Sequence, residues 1–244
     1  MKAIILAAGV SRRLYPLTFD SPKCLLEVGK RPIVDYQMDA IKKIGITEAI
    51  VVVGYFREKL IMYFQSEYPD FNLTFVKNEH FFETNTAYSL YLCRQEMEKH
   101  ETLLMNADVL FPPELVNRLV NSSHDNVMAV DVKECGREEV KVIAGADDKL
   151  VAIGKELIQE NSLGEFLGIA RFSPLFGMEF SSSLKHLIES GGKADYFEAA
   201  LHPLLSNSDV YYTDISDLPC TEIDFVEDLE LAQTLVKSKW YTKL

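Results

Sequence analysis

Short apolar runs alternate with longer amphipathic stretches through the first half of the chain. Short apolar runs are typical of buried strands, whereas apolar positions near the helical period predict helices. The predicted strands are residues 3–6, 49–53, 73–76, 103–105 and 127–130. The predicted helices are residues 33–43, 56–64, 86–97 and 113–120. This alternation predicts βαβ units, and therefore a mainly parallel, Rossmann-like α/β sheet with helices on both faces.

The pattern changes in the second half, where short strands follow one another with turns between them. The predicted strands there are residues 140–143, 150–153, 166–172 and 210–213. The predicted helices are residues 174–189, 196–205 and 226–235, the first of them ended by two glycines. These strands predict a small antiparallel addition to the sheet. No stretch has the composition of a linker, so residues 1–244 are predicted to form one domain.

Composition and charge exclude several classes of protein. The 244 residues are 48% hydrophobic and 25% charged, as in ordinary globular proteins. A net charge of −12 without a basic stripe argues against a nucleic-acid surface. The four cysteines lack metal or disulfide spacing, and no signal peptide or membrane-length apolar run is present. We therefore expect a cytoplasmic protein without a membrane partner; the sequence leaves a homodimer open.

The stretch after the first predicted strand carries candidate chemistry. Residues 6–14 have the sequence LAAGVSRRL, and Ser-Pro-Lys ends at Lys23. Small residues let the backbone turn sharply and bring several N–H groups to one anion, on which Arg13 and Lys23 can close. The P-loop and dinucleotide-binding motifs are both incomplete here. From these residues alone, a strand-to-loop junction with solvated cations is the alternative.

The same stretch resembles the signature of sugar-1-phosphate nucleotidyltransferases, Leu-Ala-Ala-Gly-x-Gly-x-Arg-Leu-x-Pro-Leu-Thr followed by Pro-Lys. Ser11 replaces the second glycine, and serine also suits tight turns. The resemblance implies the nucleotide-diphospho-sugar transferase fold. It implies catalytic roles for Lys23, the essential cation, and Arg13, near the departing phosphates. The nucleotide-binding residues that it implies in this loop are Leu6, Ala7, Ala8, Gly9, Ser11 and Arg12.

Two aspartates are candidates for a metal site. Asp108 ends an apolar strand, where a carboxylate can hold Mg²⁺ beside phosphates. Asp224 lies in Glu-Ile-Asp, just before the last predicted helix. From the residues alone, Asp108 is equally well a turn residue and Asp224 a helix cap. The resemblance implies that these two aspartates bind Mg²⁺ together.

The segment expected to contact the base differs from that of the sugar enzymes. Residues 85–92 have the sequence NTAYSLYL, where the sugar enzymes typically have Gly-Thr-Ala. The segment resembles cytidylyltransferases that act on phosphocholine, inositol phosphate or 2-aminoethylphosphonate, which favours CTP as donor. Asn85, Thr86 and Ser89 are therefore predicted nucleotide-binding residues. An amide at position 85 and a hydroxyl at position 89 suit a pyrimidine edge without deciding between cytosine and uracil.

Four residues are predicted to bind the acceptor. Lys155 matches a family lysine that contacts the acceptor's phosphate, and the resemblance implies that Glu165 lies in a region that touches the acceptor. An amine suits a cavity with aromatic faces and a carboxylate, for which the candidates are Tyr196, Asp195, Phe81, Phe82 and Tyr88. A surface lysine, an exposed strand residue and core aromatics are the alternatives.

Together these features predict a Mg²⁺-dependent cytidylyltransferase. It would transfer CMP from CTP to a small phosphorylated alcohol or phosphonate, such as phosphocholine, phosphoethanolamine or 2-aminoethylphosphonate, and release pyrophosphate. One alternative is a sugar-1-phosphate nucleotidyltransferase that uses UTP, dTTP or GTP. A second is a non-catalytic nucleotide-binding regulatory module, against which the retained cations and aspartates argue.

Overall fold

A computed structural model of the chain describes residues 1–241. Its strands are β1 Lys2–Ala7, β2 Glu27–Val28, β3 Arg31–Pro32, β4 Glu48–Val53, β5 Asn72–Lys77, β6 Thr102–Asn106, β7 Val109–Leu110, β8 Val127–Asp131, β9 Lys141–Ala144, β10 Leu150–Gly154, β11 Gly164–Phe172, β12 Tyr211–Asp214 and β13 Thr221–Glu222. Its α-helices are α1 Ile33–Lys43, α2 Arg57–Glu67, α3 Thr86–Lys99, α4 Pro113–Val120, α5 Pro174–Glu189, α6 Glu198–Leu201 and α7 Val226–Leu235.

The predicted mainly parallel sheet is confirmed. Strands β6, β1, β4 and β5 lie side by side and run parallel, with Ile4 opposite both Ile50 and Leu104. Strand β11 runs antiparallel to β6, and β9 and β10 continue the sheet in antiparallel fashion. Strand β8 also pairs with β11, and β12 pairs with β8. The second half therefore supplies the antiparallel addition, and one sheet joins strands from both halves.

Alternate residues of β1 pack into two hydrophobic cores, one on each face of the sheet. Ala3 and Ile5 contact a core that includes helices α1, α2 and α4. Ile4 and Leu6 contact a core on the opposite face that includes helices α3 and α5. Because side chains alternate along a strand, a run that is apolar at every position requires a cover on both faces. This is the helical covering that the sequence predicts.

The structure departs from the prediction over residues 196–205. The α-helix there is only α6, and a 3₁₀ turn at His202–Leu204 follows it. Pro203 has no N–H to donate to a carbonyl one turn earlier, which accounts for the end of the α-helical hydrogen bonding. The remaining predicted elements are present, with their ends moved by a few residues.

Within residues 1–241, no helix combines the length and the apolar character that a membrane crossing requires.

Candidate active site

The loop after β1 has a path that depends on two local features. Ser11 has φ 53° and ψ 49°, in the left-handed region that favours glycine, and Thr18 Oγ1 donates a hydrogen bond to its carbonyl over 2.9 Å. Gly54 follows β4, and a Cβ there would lie 2.6 Å from the carbonyl oxygen of Ala8. The loop therefore packs so closely against Gly54 that this position has no room for a side chain.

The loop borders a cavity of about 390 Å³ at the carboxyl end of the parallel strands. The predicted site residues that line it are Leu6, Ala8, Gly9, Ser11, Arg12, Arg13, Lys23, Asn85, Thr86, Ser89, Asp108, Lys155, Tyr196 and Asp224. Ala7 instead lines a smaller cavity of about 40 Å³, which shares Lys23 and Asp108 with the first. The structure gives the positions of these residues, and the roles assigned to them stay predictions.

A small two-stranded sheet brings the two predicted metal aspartates together. Strand β13 pairs antiparallel with β7, so that Glu222 lies opposite Val109. The N–H of Ile223 donates a hydrogen bond to the carbonyl of Asp108 over 3.0 Å. Asp108 precedes β7 and Asp224 follows β13, so this pairing places residues far apart in sequence at one site.

Two cations contact these aspartates. Lys23 Nζ lies 2.7 Å from Asp108 Oδ2 and 2.7 Å from Asp224 Oδ1. Arg13 Nη1 lies 2.9 Å from Asp224 Oδ2. Lys23 is only 9% exposed, whereas the Arg13 side chain is 45% exposed. The lysine is therefore held between the two carboxylates, and the arginine lies nearer to solvent.

The pKa values in this cluster follow from burial and charge. Burial alone lowers the pKa of Lys23, but Asp108 and Asp224 outweigh it and raise the pKa above its ordinary value. Burial would raise the pKa of Asp224, yet Lys23 and Arg13 hold it below its ordinary value. Burial and the two neighbouring aspartates raise the pKa of Glu222 well above its ordinary value. Burial and the neighbouring aspartates therefore favour the neutral form of Glu222, whereas the two cations favour the charged form of Asp224.

The donor set suits a divalent cation. Asp108, Glu222 and Asp224 each offer a carboxylate oxygen, and these oxygens lie within 4.8 Å of one another. Asp108 Oδ1 is buried and has no hydrogen-bond partner in residues 1–241. Oxygen ligands of this kind are those that Mg²⁺ and Ca²⁺ prefer. The residues therefore fit such an ion, and the Lys23 ammonium lies between two of the same carboxylates.

The start of α3 forms the wall that is predicted to bind the nucleotide. Asn85 Oδ1 accepts a hydrogen bond from the N–H of Thr86 over 2.8 Å at the helix cap. Thr86 Oγ1 accepts from the N–H of Phe197 over 3.1 Å. The Ser89 hydroxyl accepts from the amide of Asn78, which is buried, over 3.1 Å. Hydrogen bonds to the surrounding scaffold thus orient all three predicted side chains.

The cavity lining contains two of the four predicted acceptor residues, Lys155 and Tyr196. Lys155 Nζ lies 4.7 Å from the ring centroid of Tyr196, within the range of a cation–π contact. Glu165 and Asp195 are not among the residues that line the cavity. Glu165 is buried and paired with Lys133 at 2.7 Å. Asp195 is exposed, and its carbonyl accepts a hydrogen bond from α3.

Several residues that line the cavity are absent from the predicted set, and among them are the polar residues Asn78, Glu198 and Glu222. Glu222 and Asp224 are two positions apart in an extended segment, so the strand period could have placed them on one side. Asn78 directly follows β5, where a site residue is expected. Glu198 has no such signal, because a glutamate at the start of a helix is usually exposed.

Two curated relatives match nearly the whole chain. Choline-phosphate cytidylyltransferase of Streptococcus pneumoniae is 29% identical over 242 residues, covering 98% of this chain and 100% of the relative. CTP:phosphoglutamine cytidylyltransferase of Campylobacter jejuni is 29% identical over 253 residues, covering 95% and 98%.

A solved structure agrees with them. It is that of CTP:phosphocholine cytidylyltransferase from Streptococcus pneumoniae, with a TM-score of 0.80 and 26% identity over 96% of this chain and 98% of the other. Residues 3–211 match the family described as MobA-like NTP transferase domain. This match covers most of the chain and includes the loop after β1, Asp108 and Lys155. The chain is therefore a member of the MobA-like NTP transferase domain family, and a nucleotidyltransferase.

Proposed function

We propose that this chain is a Mg²⁺-dependent cytidylyltransferase that transfers CMP from CTP to a small acceptor bearing a phosphate or phosphonate. The observation that carries the proposal is the cluster of Lys23, Arg13 and three carboxylates at one end of the cavity, beside the α3 wall. The full-length relatives reported above, both cytidylyltransferases, support CTP as the donor.

The residues divide the reaction between them. An oxygen of the acceptor's ionised phosphate attacks the α-phosphorus and forms a new P–O bond, while the bond to the bridging oxygen of the β-phosphate breaks. Pyrophosphate leaves with the electron pair of the broken bond. No protein base is needed, because the attacking oxygen is already ionised. Arg13 and Lys23 stabilise the negative charge that develops on the departing phosphates. Lys155 lines the same cavity and would bind the incoming phosphate.

Asp108, Glu222 and Asp224 would hold the divalent cation. When bound, Mg²⁺ would offset phosphate charge and orient the triphosphate. Lys23 lies between two of these carboxylates, so its ammonium would compete with the cation for their oxygens unless it moved toward the phosphates. Its flexible four-carbon stem permits that movement.

Pyrophosphate release tests the proposal. CTP, UTP, GTP, ATP and dTTP are each supplied with Mg²⁺ and one acceptor: phosphocholine, phosphoethanolamine, 2-aminoethylphosphonate or glucose 1-phosphate. We expect release with CTP and an amine-bearing acceptor. Release only with glucose 1-phosphate and another donor would refute the cytidylyl assignment. Cytoplasmic location, a single domain and the absence of a nucleic-acid partner stay predictions from the sequence, which leaves a homodimer open.

A further inference from the structure

Lys141 is a buried lysine outside the cation cluster. It is the first residue of β9 and is only 1% exposed. The other buried cationic side chains of residues 1–241, Lys23 and Arg171, each have a carboxylate at ion-pair distance, and Lys141 has none. Burying a charge is costly unless its hydrogen-bonding groups are satisfied. The contacts that the Lys141 ammonium makes must therefore offset that cost.

The ammonium of Lys141 connects two segments of the chain. Its Nζ donates hydrogen bonds to the carbonyl oxygens of Arg137 over 3.3 Å and Glu139 over 3.1 Å, in the segment between β8 and β9. It also donates to the carbonyl oxygen of Lys155 over 2.6 Å, directly after β10. A lysine ammonium has three N–H donors, so these carbonyls use all of them. Lys141 thereby holds the residue that is predicted to bind the acceptor's phosphate.

Both of these segments border the cavity, whereas Lys141 does not line it. Lys155 and Val140 are lining residues. Glu138 lies between the two carbonyls of the first segment, and its Oε2 is 3.8 Å from Arg13 Nη2. Residues 132–140 form neither helix nor strand, so their path depends on contacts of this kind. Lys141 can therefore act on the site only through the residues that it holds.

We propose that Lys141 is a positioning residue for nucleotidyl transfer, which holds Lys155 in place with segment 137–139 as the anchor. The inference rests on the proposed function and on the role predicted there for Lys155. Fixing the carbonyl of Lys155 fixes the point from which its side chain reaches the phosphate. A misplacement of ~1 Å in such a group can cost ~100-fold in rate. Methionine at position 141 has a similar length and leaves all three carbonyls without this donor.

Arg171 is a matched control for a role in stability alone. It is buried, and its guanidinium donates to the carbonyls of Val120 over 2.8 Å and Ser122 over 3.4 Å. It lies near the end of β11, whereas Lys141 is paired with Glu165 near the start of that strand. None of these carbonyls belongs to a residue of the cavity lining. Arg171→Met thus removes a comparable buried cation away from the site.

Limited trypsin digestion of the ligand-free protein tests the contacts themselves. Trypsin cleaves after arginine and lysine, and two of the three carbonyls belong to Arg137 and Lys155. We expect Lys141→Met to speed cleavage at both bonds ~10-fold or more, because local opening no longer breaks charge-assisted hydrogen bonds. Cleavage after Lys30, in the exposed turn between β2 and β3, is the internal reference and should not change. Arg171→Met should leave the rates after Arg137 and Lys155 unchanged relative to that reference.

Steady-state kinetics test what the contacts do for the reaction. With CTP, Mg²⁺ and phosphocholine, phosphoethanolamine or 2-aminoethylphosphonate, Lys141→Met should lower kcat/KM for the acceptor ~10- to 100-fold and change the KM for CTP less than ~3-fold. In a Lys155→Met background the same substitution should cost less than ~3-fold more, because Lys141 acts through Lys155. Two controls, Arg171→Met and Lys149→Met at the other end of β10, should change neither constant.

The outcomes separate the inference from the proposed function. Equal losses in the two backgrounds, an equal effect on the KM for CTP, or equal cleavage at all three bonds overturns the positioning role. A wild type that turns over no donor, with faster cleavage after Arg137 and Lys155 in Lys141→Met, overturns the proposed function and supports the positioning of Lys155. Thermal melts report folding. If Lys141→Met does not fold, Lys141→Gln keeps two N–H donors and should show the same pattern with smaller losses.

Discussion

Replacing Glu198 with glutamine is expected to stabilise the ligand-free protein at alkaline pH. Glu198 is buried, and its pKa rises from the ordinary 4.5 to about 7 because burial disfavours the charged form. The folded state thus binds this proton more tightly than the unfolded state. The stability that the neutral carboxyl permits is fully present below the unfolded pKa and is lost as the pH rises through the folded pKa. Glutamine is neutral at every pH and escapes that loss.

The size of the effect follows from the difference between these two pKa values. At ~1.4 kcal/mol per tenfold change in proton affinity, the advantage of Glu198→Gln is about 1 kcal/mol near pH 5 and about 3 kcal/mol near pH 8. Urea unfolding of both proteins across this range measures it, with Glu189→Gln as the exposed control. A difference that does not grow with pH, or a variant less stable throughout, would show that Glu198 is ionised and stabilised in the ligand-free protein.

Two other substitutions test the site from different directions. Lys23→Met should lower pyrophosphate release ~100-fold or more, since a positioned cation stabilises the departing charge. It should also tighten Mn²⁺ binding without nucleotide, measured by paramagnetic titration, because the ammonium of Lys23 competes for the same carboxylates. The exposed control Lys30→Met should change neither pyrophosphate release nor Mn²⁺ binding. Weaker Mn²⁺ binding by Lys23→Met would contradict the competition. Gly54→Ala should destabilise the fold by ~1–3 kcal/mol in urea unfolding, because its Cβ would meet the Ala8 carbonyl at 2.6 Å. Gly9→Ala, with nothing within 4 Å of the added Cβ, should cost less than half as much; equal costs would refute the packing argument.

The strand and helix pattern was predictable because hydrophobic periodicity reports burial directly. Residues 3–6 are apolar at every position, which already requires helices on both sides of β1. The left-handed backbone at Ser11 likewise agrees with the glycine of the signature at that position. These features depend on local sequence, where periodicity and turn chemistry are informative.

The assembly of the site depends on contacts that local patterns do not encode. Strands β7 and β13 have two residues each, too few for the hydrophobic pattern to predict that they pair, yet their pairing unites Asp108 with Asp224. Glu198 lies in a four-residue helix, where its burial depends on the packing of α6 rather than on its neighbours in sequence. The sequence argument for an amine site selected Asp195, which is adjacent to Tyr196 in sequence but lies outside the cavity lining.

The central claim is that the chain transfers CMP from CTP to a small acceptor that bears a phosphate or phosphonate, and a competition in one vessel tests it most directly. Equal concentrations of CTP, UTP, GTP, ATP and dTTP are incubated with Mg²⁺, phosphocholine, phosphoethanolamine, 2-aminoethylphosphonate and glucose 1-phosphate, and the products are identified by mass spectrometry. The account predicts one dominant product, a CMP conjugate of an amine-bearing acceptor, that is lost when Mg²⁺ is chelated. A nucleoside diphosphate sugar as the dominant product would contradict it.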